Sequence, residues 1–470
     1  MSESKSPILK FFNTFFKSLT AGEREYTSGS INKAIFMLSI PVIIEMIGEG
    51  LFAIIDMIFV SKLGENSIAT VGLTESVMFI VYSIAIGLSM AASAIVSRRI
   101  GEKNKEQASI ATLQAIFIAI IIGLLLGGLG FFYAEEILRL MEAEEGVIKE
   151  GLGFTQWMFA SNVIIMLLFI INGAFRGAGD SAIAMRVLLI ANALNICLDP
   201  IFIFGLGPIP AFGVKGAAIA TTTGRGVAVL IQFYFLFISK NSSLHLVLNQ
   251  IKLEVSVVLN LLKISLGGIG QFLIESASWL VLIRFISELG TNAVAGYTLG
   301  FRIIGFTILP AWGLAQAAAA LVGQNLGAKQ PERAEKSVWR SSFYNAIYLL
   351  FISVVFFLAA DFIISNVFTD DAEVLPLAVT SIQIICLGYV FFAFGMVLSQ
   401  AFNGAGDTFT PTIINIICFW VIQIPMAFWF MKSLNMGLEG VLYCIAICHS
   451  LHAVISIALF KHGKWKLQKV

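Results

Sequence analysis

Long apolar segments, separated by short polar or charged stretches, follow one another along almost the whole chain. A helix needs about 20 mainly apolar residues to cross the hydrocarbon core of a bilayer. Twelve segments meet this requirement, and the pattern predicts one membrane-spanning helix from each. The predicted spans lie near residues 34–61, 69–97, 110–134, 154–175, 183–205, 211–239, 259–286, 294–323, 338–360, 375–402, 410–431 and 437–460.

The composition agrees with this prediction. Of the 470 residues, 58% are hydrophobic and 13% are charged, which is more apolar surface than a soluble domain could enclose. The five cysteines fall inside predicted spans, where we expect them to pack as small apolar residues and not to form a disulfide framework. The predicted fold class is therefore all-α and integral to the membrane.

The basic residues are distributed unevenly between the two sides of the predicted bundle. Most of the 30 Lys and Arg residues lie in the two tails and in the even-numbered loops, which share one side. Cytoplasmic loops of membrane proteins carry such an excess of basic residues. We therefore expect a multi-pass protein of the plasma (inner) membrane with both termini in the cytoplasm. The opposite side carries only Lys62, Arg139, Lys149, Lys215 and Lys432.

The sequence repeats itself in two halves. SKLGENSIATVGL (61–73) aligns with SELGTNAVAGYTL (287–299), and FRGAGD (175–180) aligns with FNGAGD (402–407) at an offset one residue longer. Each half holds six spans, an even number, so both halves enter the membrane in the same direction. We expect two homologous six-helix bundles, related by an axis along the membrane normal, around a central cleft.

The repeat divides the chain into two lobes and three polar segments. Residues 7–19 either form an amphipathic helix on the cytoplasmic membrane surface or belong to a frayed basic tail. The predicted regions are a cytoplasmic N-terminal tail (1–33), an N-lobe (34–239), a cytoplasmic connector (240–258), a C-lobe (259–460) and a basic cytoplasmic tail (461–470).

Acidic side chains recur along the first predicted span. A charge near mid-bilayer costs roughly 2.5 to 3.5 kcal/mol on insertion scales, so each one needs an explanation. Glu45, Glu49 and Asp56 lie on one helical face, which we expect to line the interior of the N-lobe. Crowded carboxylates in such a place can take up protons near neutral pH.

The fifth predicted span offers a complementary stripe that contains Asp199. Together with Asp56, this aspartate would suit either a proton relay or a small cation. The alternative is a network of hydrogen bonds between helices that only holds the lobe together. Four polar residues complete the predicted cluster, namely Asn172, Asn192, Asn195 and Thr221.

The second half of the chain holds fewer acids within its spans. Glu275 occupies the repeat position of Glu49, and Gln271 and Trp279 lie one turn before and after it as a C-lobe candidate site. Proline leaves a backbone carbonyl without its helical partner and permits a local bend. The candidate hinges are Pro41 in the first span and Pro200 in the fifth.

An enzymatic function has weak support in the sequence. Four side chains of the last span could ligate a metal by their spacing, but no carboxylate accompanies them, so an intramembrane metalloenzyme is a remote alternative. No GxxxxGK[ST] loop indicates ATP binding, and the basic loops indicate orientation and not nucleic-acid binding. We therefore expect that the protein is not an enzyme and that it binds neither a cofactor nor a metal. The four side chains are Cys444, Cys448, His449 and His452.

These features resemble the multidrug and toxic compound extrusion (MATE) family over nearly the whole chain. SIPVIIEMIGEGLFAIIDMIFVSKLG (39–64) resembles its first helix, and VSRRIGEKNKEQA (96–108) resembles its IARRIG-type sequence. LNICLDPIFIFGLG (194–207) and GVKGAAIATT (213–222) are most similar to the DinF-like branch, whose N-lobe site pairs an aspartate in helix one with another in helix five.

The resemblance implies a secondary antiporter that exports amphipathic, often cationic drugs and toxins by alternating access. It implies that Asp56 and Asp199 couple export to H⁺, with Na⁺ as the less favoured ion, and that Asn172, Asn195 and Thr221 are their polar neighbours. Glu275 resembles the helix-seven glutamate that other branches use in their C-lobe.

Two departures from the family pattern concern the acidic residues. Glu49 stands where DinF-like relatives tend to have a neutral amide, which adds a titrating group or alters the cation preference. The tenth span lacks the acid of the NorM-like branch, so a complete C-lobe cation site is not expected.

A lipid-linked sugar flippase of the same superfamily is the main alternative within transport. Its cleft would need more positive charge to bind pyrophosphate, and only Arg225, Arg284 and Arg302 could supply it. For Arg284 and Arg302 we favour ion pairs or snorkelling to an interface over substrate contact. The expected partners are small-molecule drugs and toxins and the lipid bilayer, with no nucleic acid and no ATP, and the expected state is a monomer.

Overall fold

The computed structural model describes residues 7–20, 26–239, 242–247, 253–368 and 371–470. Within these segments nearly all regular structure is helical, and one isolated antiparallel bridge joins Leu206 and Ile209. The helices are α1 (Pro7–Thr20), α2 (Ile31–Ser61), α3 (Glu65–Gly101), α4 (Lys105–Phe132), α5 (Ala134–Leu140), α6 (Glu145–Ala160), α7 (Asn162–Ala178), α8 (Ser181–Phe204), α9 (Val214–Phe237), α10 (Val255–Ser287), α11 (Thr291–Gly327), α12 (Pro331–Val367), α13 (Val374–Cys386), α14 (Tyr389–Ala405), α15 (Phe409–Ser433) and α16 (Gly437–His462).

The helices supply the twelve predicted spans in the predicted order. Among the described residues, ten helices are long and apolar enough to cross a membrane singly, and two bent pairs supply the other two spans. The pairs are α6 with α7, bent by 43°, and α13 with α14, bent by 58°. The sequence pattern did not predict these two breaks. The second one falls at Gly388, whose missing side chain lets the backbone approach Ala446 of α16.

Each lobe is organised around its own apolar core. Residues of α3, α4 and α6 to α9 form most of the N-lobe core, to which Val60 of α2 also belongs, and residues of α10 to α16 form the C-lobe core. Large side chains such as Phe175 in the first core and Tyr297 in the second are almost completely buried. The prediction of two six-helix bundles is therefore confirmed.

The lobes meet along α2 and α3 on one side and α10 and α11 on the other. We call the membrane side that carries the start of α2 and the end of α16 the tail side. There a Cβ on Gly101 would lie 2.0 Å from the backbone oxygen of Gln324, and one on Gly327 would lie 2.1 Å from that of Arg98. Glycine at these two repeat-related positions lets the backbones of α3 and α11 touch and holds the lobes together on the tail side.

The predicted amphipathic segment 7–19 is helical as α1, which packs on α2 and α8. In the connector, Leu244 is buried in the N-lobe core, and the backbone N–H of Ser243 donates to the carboxylate of Asp180 at 2.7 Å. The described part of the connector is thus bound to the N-lobe. Residues 1–6 and 21–25 of the predicted tail, and 240–241 and 248–252 of the predicted connector, lie outside the described residues.

The C-terminal segment contacts both lobes on the tail side. Trp465 is buried and stacks on Phe460 of α16, with ring centroids 4.5 Å apart. Lys466 forms an ion pair with Glu335 of α12 at 2.5 Å, whereas Arg98 of α3 donates to the backbone oxygen of Gln468 at 2.7 Å. These contacts join α12 and α16 of the C-lobe to α3 of the N-lobe.

Candidate functional site

Asp56 of α2 and Asp199 of α8 come together inside the N-lobe. Asp199 is completely buried, Asp56 is partly buried, and the two carboxylates are near enough to repel each other electrostatically. Asn195, one turn before Asp199, donates from Nδ2 to Oγ1 of Thr221 on α9 at 2.9 Å. The helical spacing that the sequence showed thus brings polar groups of α2, α8 and α9 into one cluster.

The oxygen atoms of this cluster lack hydrogen-bond donors. Oδ1 of Asp56, both carboxylate oxygens of Asp199 and Oδ1 of Asn195 are buried and have no hydrogen-bond partner among the described residues. A buried carboxylate without a donor or a counter-charge is strongly unfavourable. A proton or a small hard cation removes that penalty, because both bind oxygen atoms of this kind.

Charged residues from two other helices border the cluster. Glu75 of α3 and Arg225 of α9 both interact electrostatically with Asp56. Arg225 donates to the hydroxyl of Tyr82 at 3.3 Å, and its guanidinium lies over that ring, 5.9 Å from the centroid. Glu75 is not among the residues predicted from the sequence. It could have been predicted, because it is an acid inside the second predicted span.

A cavity of about 360 Å³ lies between the lobes. Its walls come from α2, α3, α7, α8 and α9 of the N-lobe and from α10, α11 and α14 of the C-lobe. Most of the wall is apolar, and four charged side chains face it. The apolar wall includes Met46, Met90, Phe169, Phe272 and Trp312, and the charged residues are Glu45, Glu49, Arg176 and Arg225.

Glu45 forms a buried ion pair at this cavity. Arg176 Nη1 donates to Glu45 Oε1 at 2.8 Å, and Nη2 of the same arginine lies 3.4 Å from the hydroxyl of Ser89. Glu45 was grouped with the coupling acids by its position on α2, and Arg176 follows directly on the predicted fourth span (154–175). The structure places Arg176 within the last turn of α7, where it faces the central cavity.

The other predicted N-lobe residues also contact the central cavity or lie beside it. Glu49 faces the cavity and accepts a hydrogen bond from Nδ2 of Asn192 at 3.0 Å. Asn172 faces it too, and its Oδ1 accepts a hydrogen bond from Gln232 at 2.8 Å. The acidic stripe of the first span is therefore shared between the central cavity and the interior of the N-lobe.

Glu275 faces a smaller cavity of about 60 Å³ inside the C-lobe, which Trp312 and His449 also line. Among the described residues Glu275 has no hydrogen-bond or ion-pair partner. Gln271 lines the same cavity, whereas Trp279 does not and packs edge-to-face against the ring of Phe301. The structure thus brings together two of the three predicted C-lobe residues.

The cysteine and histidine side chains of α16 make packing contacts. Cys444 donates to the backbone oxygen of Gln423 at 3.1 Å, and Nε2 of His452 lies 3.1 Å from Oδ1 of Asn415. Cys448 is completely buried. In the part of the chain that the structure describes, no group of three or more His, Cys, Asp or Glu side chains is arranged to hold a metal ion.

The remaining predicted residues lie away from both cavities. Arg284 and Arg302 are exposed, and Arg302 borders a surface pocket near the start of α11. Pro41 and Pro200 lie within α2 and α8, each of which runs as one helix. Their proposed role as hinges stays a prediction.

A membrane-embedded pair of equivalent lobes, with a cavity between them and unpaired carboxylates inside the lobes, is the architecture of a secondary transporter. The MatE family model matches residues 41–201 and 269–429, one copy in each lobe. The chain therefore belongs to the MatE family, whose members are transporters and not enzymes. The family resemblance is confirmed, and the metalloenzyme alternative was wrong.

Individual relatives align over nearly their whole length. The probable multidrug resistance protein NorM of Thermotoga maritima is 25% identical, over 94% of this chain and 94% of that protein. The FAD transporter of Shewanella oneidensis is 25% identical, over 91% of this chain and 94% of that protein. A MOP superfamily transporter from Pyrococcus furiosus superimposes with a TM-score of 0.88 at 28% identity, over 94% of this chain and 98% of that chain.

Proposed function

We propose that this protein is a secondary multidrug antiporter that exports amphipathic, often cationic small molecules in exchange for H⁺, with Na⁺ as the less favoured ion. The observation that carries the proposal is the pair of Asp56 and Asp199, of which three carboxylate oxygens are buried without a hydrogen-bond donor. Binding of a proton or cation changes the charge of this pair, so the conformation of the N-lobe responds to the ion gradient.

The central cavity is the proposed binding site for the exported molecule. Methionine and aromatic walls adapt to ligands of different shape, because thioethers and rings offer soft, polarisable surfaces. Glu49 places a carboxylate in this wall, where it can attract a cationic group. The relatives that carry multidrug names agree with a site of this kind.

Alternating access follows from the two-lobe architecture. In the present conformation α3 and α11 touch on the tail side through Gly101 and Gly327. Protonation of Asp56 removes its negative charge and with it the repulsion between Asp56 and Asp199 of α8. We expect α2 then to adjust near Pro41, which shifts the balance between the inward-open and outward-open states. The membrane potential adds about 2.3 kcal/mol per charge per 100 mV to the driving force.

The orientation and the energy source complete the proposal. The excess of Lys and Arg on the tail side supports cytoplasmic termini in the plasma (inner) membrane. The tail-side contact between the lobes then closes the cytoplasmic side. We propose that a single chain performs the cycle without a cofactor and without ATP.

A lipid-linked sugar flippase fits the central cavity less well. Two acids and two arginines face that cavity, so its formal charges balance, and Arg284 and Arg302 lie elsewhere. A diphosphate would favour a cavity with an excess of positive charge. The same argument weighs against FAD, the substrate that the name of one relative gives.

Efflux from proteoliposomes tests the proposal. Ethidium efflux is measured under a proton gradient and, separately, under a sodium gradient, for the wild type and for Asp56→Asn. We expect the proton gradient to drive efflux by the wild type and by the control variant, and not by Asp56→Asn. The matched control is Asp361→Asn, which neutralises an exposed aspartate of α12. Full gradient-driven efflux by Asp56→Asn would show that Asp56 is not the coupling residue.

A further inference from the structure

Residues 463–470 follow α16 and contact both lobes on the tail side, and we call them the strap. Trp465 is completely buried in the C-lobe core, and its indole N–H donates to the backbone oxygen of Phe460 at 2.9 Å. Lys466 forms an ion pair with Glu335 of α12 at 2.5 Å. A buried indole contributes a large apolar area in addition to its hydrogen bond. The strap is therefore firmly fixed to the C-lobe.

The strap contacts the N-lobe mainly through its backbone. Nη2 of Arg98 donates to the backbone oxygen of Gln468 at 2.7 Å, and Nη2 of Arg99 donates to that of Val470 at 3.1 Å. Both arginines lie in the last turn of α3. The side chain of Val470 is partly buried against the N-lobe core. This valine buries much less apolar area than Trp465 does, so the N-lobe holds the strap less strongly than the C-lobe does.

The first repeat has an equivalent segment, which turns back onto its own lobe. The connector follows α9 as the strap follows α16. Leu244 of the connector is buried in the N-lobe core, and the backbone N–H of Leu246 donates to the backbone oxygen of Leu236 in α9 at 2.8 Å. The described part of the connector is thus held by the lobe that precedes it, whereas the strap also reaches the other lobe. Bridging the lobes is therefore a property of the strap and not of the repeat.

The residue that binds the strap on α3 also differs between the repeats. Arg98 corresponds to Gln324 of α11, at the offset of 226 residues. Gln324 donates to the backbone oxygen of Gly177 in FRGAGD at 3.0 Å, and Arg98 lies 3.5 Å from that of Ala405 in FNGAGD. A glutamine therefore suffices for the direct contact between the lobes. The longer side chain of Arg98 makes the additional bond to the strap.

We propose that the strap is a latch that stabilises the state in which the lobes touch on the tail side. When this side opens, α3 moves away from α12 and α16, and the strap leaves Arg98 and Arg99 but stays on the C-lobe through Trp465. Because these N-lobe contacts exist in one state only, they shift the balance between the two states toward the closed tail side. This inference rests on the alternating access proposed above and adds a device that sets its equilibrium.

Two variants weaken the strap from opposite lobes. Arg98→Gln copies the residue of the other repeat, so it keeps the direct contact between the lobes and loses the bond to the strap. Lys466→Glu places a negative charge beside Glu335 and weakens the hold of the C-lobe on the strap. The matched control is Lys464→Glu, which makes the same change of charge at an exposed residue of the strap. Melting temperatures check that each variant folds.

Double electron–electron resonance measures the opening of the tail side in the purified full-length chain. Spin labels are attached to cysteines at positions 106 and 332, two exposed and repeat-related positions on α4 and α12. Cys197, the exposed native cysteine, is replaced by serine throughout. We expect Arg98→Gln to raise the ratio of open to closed molecules about tenfold, through the loss of a charge-assisted hydrogen bond. We expect about threefold for Lys466→Glu, because a partly exposed ion pair contributes less.

The outcomes separate the strap from the proposed function. Wild-type distances in a folded Arg98→Gln or in Lys466→Glu overturn the strap, and so does an equal shift in Lys464→Glu. If Arg98→Gln does not fold, the comparison of the two lysine variants decides. Ethidium efflux by the wild type together with unchanged distances overturns the strap alone. A wild type without efflux overturns the proposed function, while the distances still decide whether the strap holds the lobes together.

Discussion

At the scale of single residues, the main feature of the protein is a set of carboxylates that the fold buries without hydrogen-bond donors. Two like charges as near as those of Asp56 and Asp199 oppose each other in surroundings of low polarity, and neither finds a hydrogen bond there. We expect the pair to hold a proton or a cation for part of the transport cycle. Such a pair titrates as a unit, so substituting either aspartate should change the behaviour of both.

Asp180 is the clearest titrating group outside the membrane spans. It lies between α7 and α8, and burial raises its pKa from 3.8 to about 6, although the hydrogen bond from Ser243 opposes that shift. The folded protein therefore holds a proton that the unfolded chain has lost between about pH 4 and 6. Stability must fall as pH rises through that window, because the native state binds more protons than the unfolded state.

Asp180→Asn should remove this dependence while keeping an oxygen that accepts from Ser243. Thermal unfolding of the purified protein is followed at several pH values from 4 to 7. We expect the melting temperature of the wild type to fall relative to that of Asp180→Asn up to about pH 6 and then to level off. A difference in melting temperature between the wild type and Asp180→Asn that does not vary with pH would contradict the raised pKa of Asp180.

Part of the site could be predicted from the sequence at this scale. The spacing of Asp56 and of Asp199 with Asn195 along their helices predicted a polar cluster, because helical periodicity decides which residues share a face. It could not predict the partner of Glu45. Arg176 stands at the end of an apolar segment, where a basic residue is equally typical of a loop, and periodicity along one helix carries no information about contacts between helices.

At the scale of elements, close helix packing depends on a few glycines. Gly101 and Gly327 let α3 and α11 meet on the tail side with backbone against backbone. By contrast, Gly128 of α4 has open space where a side chain would stand. The same residue type therefore controls the contact between lobes at one position and has no packing role at another.

Gly101→Val should push the tail-side ends of the lobes apart, because its Cβ alone would overlap the backbone oxygen of Gln324. The distance between spin labels at positions 102 and 328 is measured by double electron–electron resonance. We expect longer distances for Gly101→Val and wild-type distances for the control Gly128→Val. Unchanged distances in Gly101→Val would contradict the role given to this contact.

The spans themselves were predictable, since apolar length determines which segments can cross a bilayer. The two bent spans were not. Hydropathy continues without interruption across Ser161 and Gly388, and the bend at Gly388 depends on the approach of α16, which lies far along the chain. Local composition decides whether a helix forms in the membrane, whereas neighbouring helices decide where it bends.

The whole molecule combines a near-symmetric frame with asymmetric chemistry. The repeat predicted two lobes, because an even number of spans gives both halves the same direction. The side on which the lobes meet could not be predicted, since it depends on how closely two backbones approach. The unpaired aspartates and the ion pair lie in the N-lobe, while the C-lobe positions equivalent to Asp56, Glu45 and Arg176 hold Leu282, Gln271 and Asn403. This asymmetry makes the N-lobe the proposed site of ion coupling.

Proton release on substrate binding tests the central claim most directly. Ethidium is added to the purified protein in weakly buffered solution, and the change in pH is recorded for the wild type, Asp56→Asn and Asp199→Asn. Linkage requires that a substrate which competes with protons displaces them, so we expect the wild type to release about one proton per bound molecule and each variant to release almost none. Equal proton release by the wild type and both variants would show that this carboxylate pair does not couple the transport cycle.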